Sequence, residues 1–168
     1  MVKNSSDQAR KVIQFLAALM VALILGLAFA HVMELPGKLR MDGPTWLTVQ
    51  QNLYIGFGPL AAVVEPFGIL LTWVLVFMLH RHRLAFRLAL LAAVCTTIGL
   101  AEWALVVAPM NTLLDSWTTT TLPPDWTACR DQWELGHAIH AALYGAAFCA
   151  LLTTMLTRRA PTDGANSG

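Results

Sequence analysis

Residues 12–33 read VIQFLAALMVALILGLAFAHVM, a run whose only interruptions are Gln14 and His31. About 20 apolar residues rising 1.5 Å each cross a hydrocarbon core of roughly 30 Å, so this run predicts a membrane-crossing helix. Residues 57–79, 88–107 and 135–156 form three further runs of the same kind. The expected fold class is all-α: an integral membrane four-helix bundle built as one domain over residues 1–160. The last residues, 161–168, are rich in Gly, Asn, Ser and Asp and predict a disordered tail.

Composition points the same way. Hydrophobic residues make up 57% of the chain and charged residues 12%, whereas soluble domains carry roughly 25% charged residues. The surplus apolar surface needs lipid. A net charge of +1, with no basic patch outside the flanks of the runs, excludes a nucleic-acid partner. The first run, preceded by Lys3, Arg10 and Lys11, is longer than a signal-peptide core and ends at His31 and Glu34 without a small-residue cleavage site, so it reads as a retained span.

The distribution of Lys and Arg sets the expected direction. Eight of the 11 lie in the N-terminus, in the His80-Arg81-His82-Arg83 turn with Arg87, and at Arg158 and Arg159; the other three are Lys38, Arg40 and Arg130. The positive-inside rule then puts both termini in the cytoplasm and two longer loops, about 35–56 and 108–134, on the outer side, in a membrane expected to be the bacterial inner membrane. Pro123-Pro124 and the run of threonines at 118–121 predict turns in the second loop and no added helix. Five of the six tryptophans, Trp46, Trp103, Trp117, Trp126 and Trp133, lie toward this side. They form either an interfacial belt or an aromatic lid over a pocket. Of three cysteines, Cys95 and Cys149 fall in apolar runs, which leaves Cys129 as a free thiol in a polar loop.

Ionisable side chains inside a span cost about 2.5–3.5 kcal/mol each even on lenient scales, so each needs a reason. His31 and Glu34 close the first run, Glu65 lies in the second, Glu102 in the third, and Glu134, His137 and His140 open the fourth. All are in the outer half, while the inner half reads as almost wholly apolar. Glu65 and Glu102 come out at similar depth, roughly 9 Å below the outer hydrocarbon edge. Residues three apart share a helix face, which groups His31 with Glu34, and Glu134 with His137 and His140. Bland roles exist for several of these. Glu34 and Glu134 can be interfacial charges, the latter favoured in a first helical turn; His31 can be an interfacial histidine, and His80 and His82 belong to the basic turn. Carboxylates from four helices with two histidine spacings of three also resemble the ligand set of carboxylate-bridged metal sites in bundle cores. Candidate metal ligands are therefore His31, Glu34, Glu65, Glu102, Glu134, His137 and His140, for iron, copper or zinc, or for a haem held by histidine. Pro66 and Gly68 loosen the second run beside Glu65, as irregular backbone next to a cavity does.

Four spans, Asn111 within Pro109-Met110-Asn111 after the third, and a Trp-x-x-x-His opening of the fourth at Trp133 and His137 resemble the anthrone-oxygenase-like family of small membrane proteins. The resemblance implies an oxidoreductase or monooxygenase role involving Asn111, Trp133 and His137. Where that family pattern carries Arg three residues after the histidine, this chain has His140. The function expected is thus a membrane-embedded oxygenase-like enzyme acting on a hydrophobic small molecule. Glu65, Glu102, Asn111 and His137 are its catalytic candidates, and Trp103 and Trp133 its cofactor-contacting aromatics. It would work by oxygen activation at a metal or by proton abstraction at a desolvated Glu. The competing expectation is a non-catalytic accessory subunit, within an oligomer or membrane complex, or a metal or proton carrier with paired carboxylates.

Overall fold

A computed structural model describes residues 2–156; the expected tail at 161–168 and the basic pair Arg158 and Arg159 lie outside the described residues. The chain is an all-α bundle. Helix α1 is Val2–Lys38, α2 Gly43–Leu53, α3 Phe57–Leu79, α4 Arg83–Glu102, α5 Ala108–Ser116 and α6 Trp126–Leu156; a π-helical turn, Trp103–Val107, joins α4 to α5 without a break. Four stretches are long and apolar enough to cross a membrane: Ser5–Lys38, Phe57–Leu79, Arg83–Ser116 and Trp126–Leu156. At 1.5 Å per residue, 34 residues make a helix of about 51 Å, so the first and third outrun a core of about 30 Å and carry polar residues beyond it.

Packing runs in a ring, α1 on α3, α3 on α4, α4 on α6 and α6 back on α1. Consecutive long helices are antiparallel: Lys38 at the end of α1 meets Glu134 near the start of α6, and Gln14 near the start of α1 donates to Thr154 near the end of α6. Small and branched residues fill the centre, among them Ala89, Ala92, Ala147, Leu75 and Leu151. The outward faces are the inverse of a soluble protein's, with Phe15, Met33, Val63, Phe77, Leu105 and Leu156 all well exposed. Apolar belts of that extent belong against lipid.

The two longer connections differ from the sequence expectation. The first long loop is mostly helical. Helix α1 continues through Pro36 because that ring removes only one backbone bond, and Leu39 N–H still reaches Leu35 O at 3.0 Å. Helix α2 then starts on Asp42, whose carboxylate accepts from Thr45 N–H at 2.9 Å, with Pro44 in the first turn where no donor is needed. In the second loop, helix persists to Ser116 and resumes at Trp126, leaving turns only around the threonines and prolines. The π-helical turn explains the survival of helix at Pro109. Ala108 N–H bonds to Trp103 O, one residue further back than in an α-helix, which opens the ladder where the proline ring would collide. Cys129 therefore lies buried in α6, not in a polar loop.

The Asp42 cap yields a first prediction. The bond from Thr45 holds the Asp42 carboxyl below its ordinary value of 3.8. A depressed folded-state value adds stability that is complete above 3.8 and fades as pH falls through the folded value. Asp42→Ala should lower the melting temperature modestly at neutral pH, and the gap from wild type should close in acid. Thermal scans at several pH values check this, and a gap that persists unchanged in acid would remove the cap as its cause.

Candidate functional site

Over the end of the bundle where α1 finishes and α6 begins, α2 packs on α5 and forms a cap. Trp46 and Trp133 are buried there with Leu47, Val107 and Leu114, and the Trp46 and Trp126 rings lie 5.3 Å apart. Gly43 makes the fit possible, since a Cβ on it would stand 2.2 Å from Leu122 and 2.9 Å from Trp126. Gln51 ties the cap down by donating to Leu114 O at 2.8 Å and Trp117 O at 2.9 Å, carbonyls at the end of α5. At least these two tryptophans, Trp46 and Trp133, are lid residues packed on protein, not members of a lipid-facing belt.

Under the cap sits a cavity of about 290 Å³. Of the residues singled out by sequence, His31, Glu65, Trp103, Asn111, Trp133, His137 and His140 line it. Trp133 Nε1 donates to Asn111 Oδ1 at 2.7 Å, and the His137 ring lies 3.9 Å from the Trp133 ring. His137 Nδ1 is 3.0 Å from Trp133 O, a carbonyl that can only accept, so Nδ1 carries the hydrogen and Nε2 stays free.

The remaining ionisable groups fall into two tiers. In the upper one Lys38, 1% exposed, occupies the point on which the carboxylates converge. Its Nζ is 3.3 Å from Glu34, 3.2 Å from Glu134 and 3.4 Å from His31 Nδ1. Two rings complete the enclosure, Tyr54 at 4.8 Å and Trp133 at 4.6 Å from the ammonium, a cation–π arrangement. Tyr54 also donates to Glu34, and burial together with that carboxylate pushes the Tyr54 phenol well up from its ordinary value.

In the lower tier His140 stands between Glu65 and Glu102. Its Nε2 is 3.5 Å from Glu65 Oε1 and its Nδ1 3.5 Å from Glu102 Oε2. Nδ1 also points at Gly99 O, 3.1 Å away, and so bears a hydrogen. Any bond between Nε2 and Glu65 then needs a second proton held by one of the two. Tyr144 orders the pair, donating to Glu65 Oε1 at 2.7 Å while its ring stacks on His140 at 4.6 Å. Glu102, with its side chain only 10% exposed, has neither oxygen hydrogen-bonded among the described residues.

The two tiers bear on the expected metal site. Lys38 Nζ fills the point on which Glu34 and Glu134 converge, and Glu65 and Glu102 approach opposite edges of one imidazole. Among the described residues, no group of three or more His, Cys, Asp or Glu side chains is placed to hold a metal ion. The His31 and His137 rings touch edge to face at 4.3 Å, which leaves no room for a macrocycle between them.

Sequence reasoning passed over Lys38, Tyr54 and Tyr144. Lys38 had a signal, since it is four residues after Glu34, but Pro36-Gly37 before it reads as a helix end. Tyr144 is four residues after His140 on the same face; nothing local marks Tyr54. Away from the cap, the bundle also holds buried polar groups that the hydropathy reading smoothed away, namely Gln14, Thr72, Thr96 and Thr154. Thr72 and Thr96 donate to carbonyls of their own helices at 2.8 and 3.1 Å. Buried Leu75, Ala89, Ala147 and Leu151 form part of the apolar core that Gln14 and Thr154 reach from the end opposite the cap.

No protein-family model, curated protein or solved structure matches this chain.

Proposed function

We propose that this chain is a non-catalytic membrane protein, an accessory subunit that holds a small hydrophobic molecule in its outer-half cavity. In this reading both termini are cytoplasmic and the cavity opens toward the outer side of a bacterial inner membrane. The biased placement of Lys and Arg supports that direction. One observation carries the non-catalytic reading: most of the buried ionisable groups are occupied with one another. Lys38 neutralises Glu34 and Glu134, and His140 and Tyr144 engage Glu65. Groups held in such pairs stabilise charge inside a membrane rather than stand ready to transfer it. Apolar packing between the two tiers and the inner end supports a holder over a carrier with a through-path.

A second reading has one observation in its favour. Asn111, Trp133 and His137, the residues picked out by resemblance to the anthrone-oxygenase-like family, adjoin one another on one cavity wall. Oxygen uptake by the purified protein with an anthrone substrate separates the two, together with metal analysis and an optical spectrum. The accessory reading expects no uptake above the protein-free rate and less than a stoichiometric amount of bound metal or haem. Uptake abolished by His137→Ala would replace it with the oxygenase-like one.

A further inference from the structure

Resting on that binding reading, we infer that the ligand of the cavity is a lipophilic organic cation, a small apolar body carrying a protonated or quaternary amine. The ionisable side chains that line the cavity are Glu65, Asp115, Tyr54 and three histidines, and among the described residues no Lys or Arg lines it. Lys38 is close by but spent, enclosed by Glu34, Glu134 and two rings. Glu65 uses Oε1 for Tyr144 and His140; Oε2 has no partner among the described residues. Glu102 lies behind His140, outside the cavity lining, its side chain 10% exposed and without a hydrogen-bond donor among the described residues. Glu65 is thus the carboxyl in the cavity floor that a ligand can reach, and its second oxygen, beside an imidazole and a phenol and no Lys or Arg, favours a positively charged partner.

The walls fit the same class. Trp103, Trp133, Tyr54 and Phe57 line the cavity, and the negative faces of such rings attract an ammonium, most strongly where water is excluded. The upper tier is an internal precedent: there the chain encloses its own ammonium with two carboxylates and two of these rings, Tyr54 and Trp133. An anion would be repelled by Glu65, and a neutral apolar molecule would leave Glu65 Oε2 without a partner. A volume of about 290 Å³ is at the lower edge of small-molecule pockets, which limits the body to a single ring or short chain.

The test uses the full chain in lipid nanodiscs, titrated calorimetrically with benzyltrimethylammonium, its neutral isostere neopentylbenzene, and phenylacetate, each against protein-free nanodiscs. The cation should bind at least tenfold more tightly than the neutral isostere, and phenylacetate should not bind. Glu65→Gln should weaken the cation at least tenfold, equivalent to about 1.4 kcal/mol, and leave the isostere unchanged. Equal affinity for cation and isostere, or a cation affinity indifferent to Glu65→Gln, overturns the cation while keeping a binding cavity. Failure of all three probes to bind folded protein overturns the binding reading as well. If Glu65→Gln does not fold, the three-probe comparison on wild type decides alone.

Discussion

Lys38→Met should destabilise the protein by about 3–5 kcal/mol, the cost typical of removing one partner from a buried ion pair. The Lys38 side chain is 2% exposed and that of Glu134 5%, whereas Glu34 is 36% exposed. Met retains most of the volume of Lys, so the loss reports charge and not a cavity. Without the ammonium, Glu134 is a buried carboxylate left with only the weaker influence of Arg130, and Glu34 adds repulsion. Glu34 suffers less because water and Tyr54 reach it. The double variant Lys38→Met/Glu134→Gln should therefore be more stable than Lys38→Met alone, since it removes the stranded charge along with its partner. Lys38→Arg should not rescue fully, because a planar guanidinium does not fill a site shaped by two ring faces around a compact ammonium. Thermal unfolding in detergent, followed by helical circular dichroism, reads all four proteins. A Lys38→Met melting temperature equal to wild type would show that the upper tier does not support the bundle.

Lys38 also marks where sequence stops being sufficient. Long apolar runs are strong local signals, because lipid forces every backbone group to be satisfied within its own helix, and residues 12–33, 57–79, 88–107 and 135–156 all fall in long helices. The similar level of Glu65 and Glu102 was legible from rise per residue, and the structure adds His140 at that level, between the two, although its spacing of three grouped it with Glu134 and His137. What periodicity does not encode is which face turns toward which neighbour. His31, Glu34, Glu134 and His137 therefore read as one ligand set until Lys38 is seen between two of them. Helix runs on past Pro36, where one backbone bond is lost, and past Pro109, where the π-helical turn makes room for the ring. Tyr54 reaches Glu34 across a helix–helix connection, a contact that no local spacing announces.

Gly136→Leu should cost about 3 kcal/mol or more, at or above the upper end of what overpacking a tight core does. A Cβ on Gly136 would lie 2.6 Å from Val107 Cγ2, 3.0 Å from Glu102 Oε1 and 3.4 Å from Val106 Cγ1. Val107 is fully buried under the cap and cannot swing away. Small residues at helix crossings let backbones approach closely, and here the relation is reciprocal. Gly99 on α4 makes the same room for α6, since a Cβ there would meet Tyr144 at 2.7 Å. Together the two glycines set how near α4 and the π-helical turn come to α6, and so how far Glu102 and Glu65 stand from His140. Pushing the π-helical turn outward separates Glu102 from His140, so Gly136→Leu should also abolish benzyltrimethylammonium binding in whatever fraction still folds. The contrasts are Gly26→Ala and Gly145→Ala. No atom stands within 4 Å of a Cβ at Gly26, and at Gly145 the nearest is Leu25 Cδ1 at 3.9 Å. Both should leave stability unchanged or raise it by up to about 1 kcal/mol, through helix propensity alone. If Gly136→Leu melts with these two, the close approach of α4 and α6 does not hold the lower tier in place.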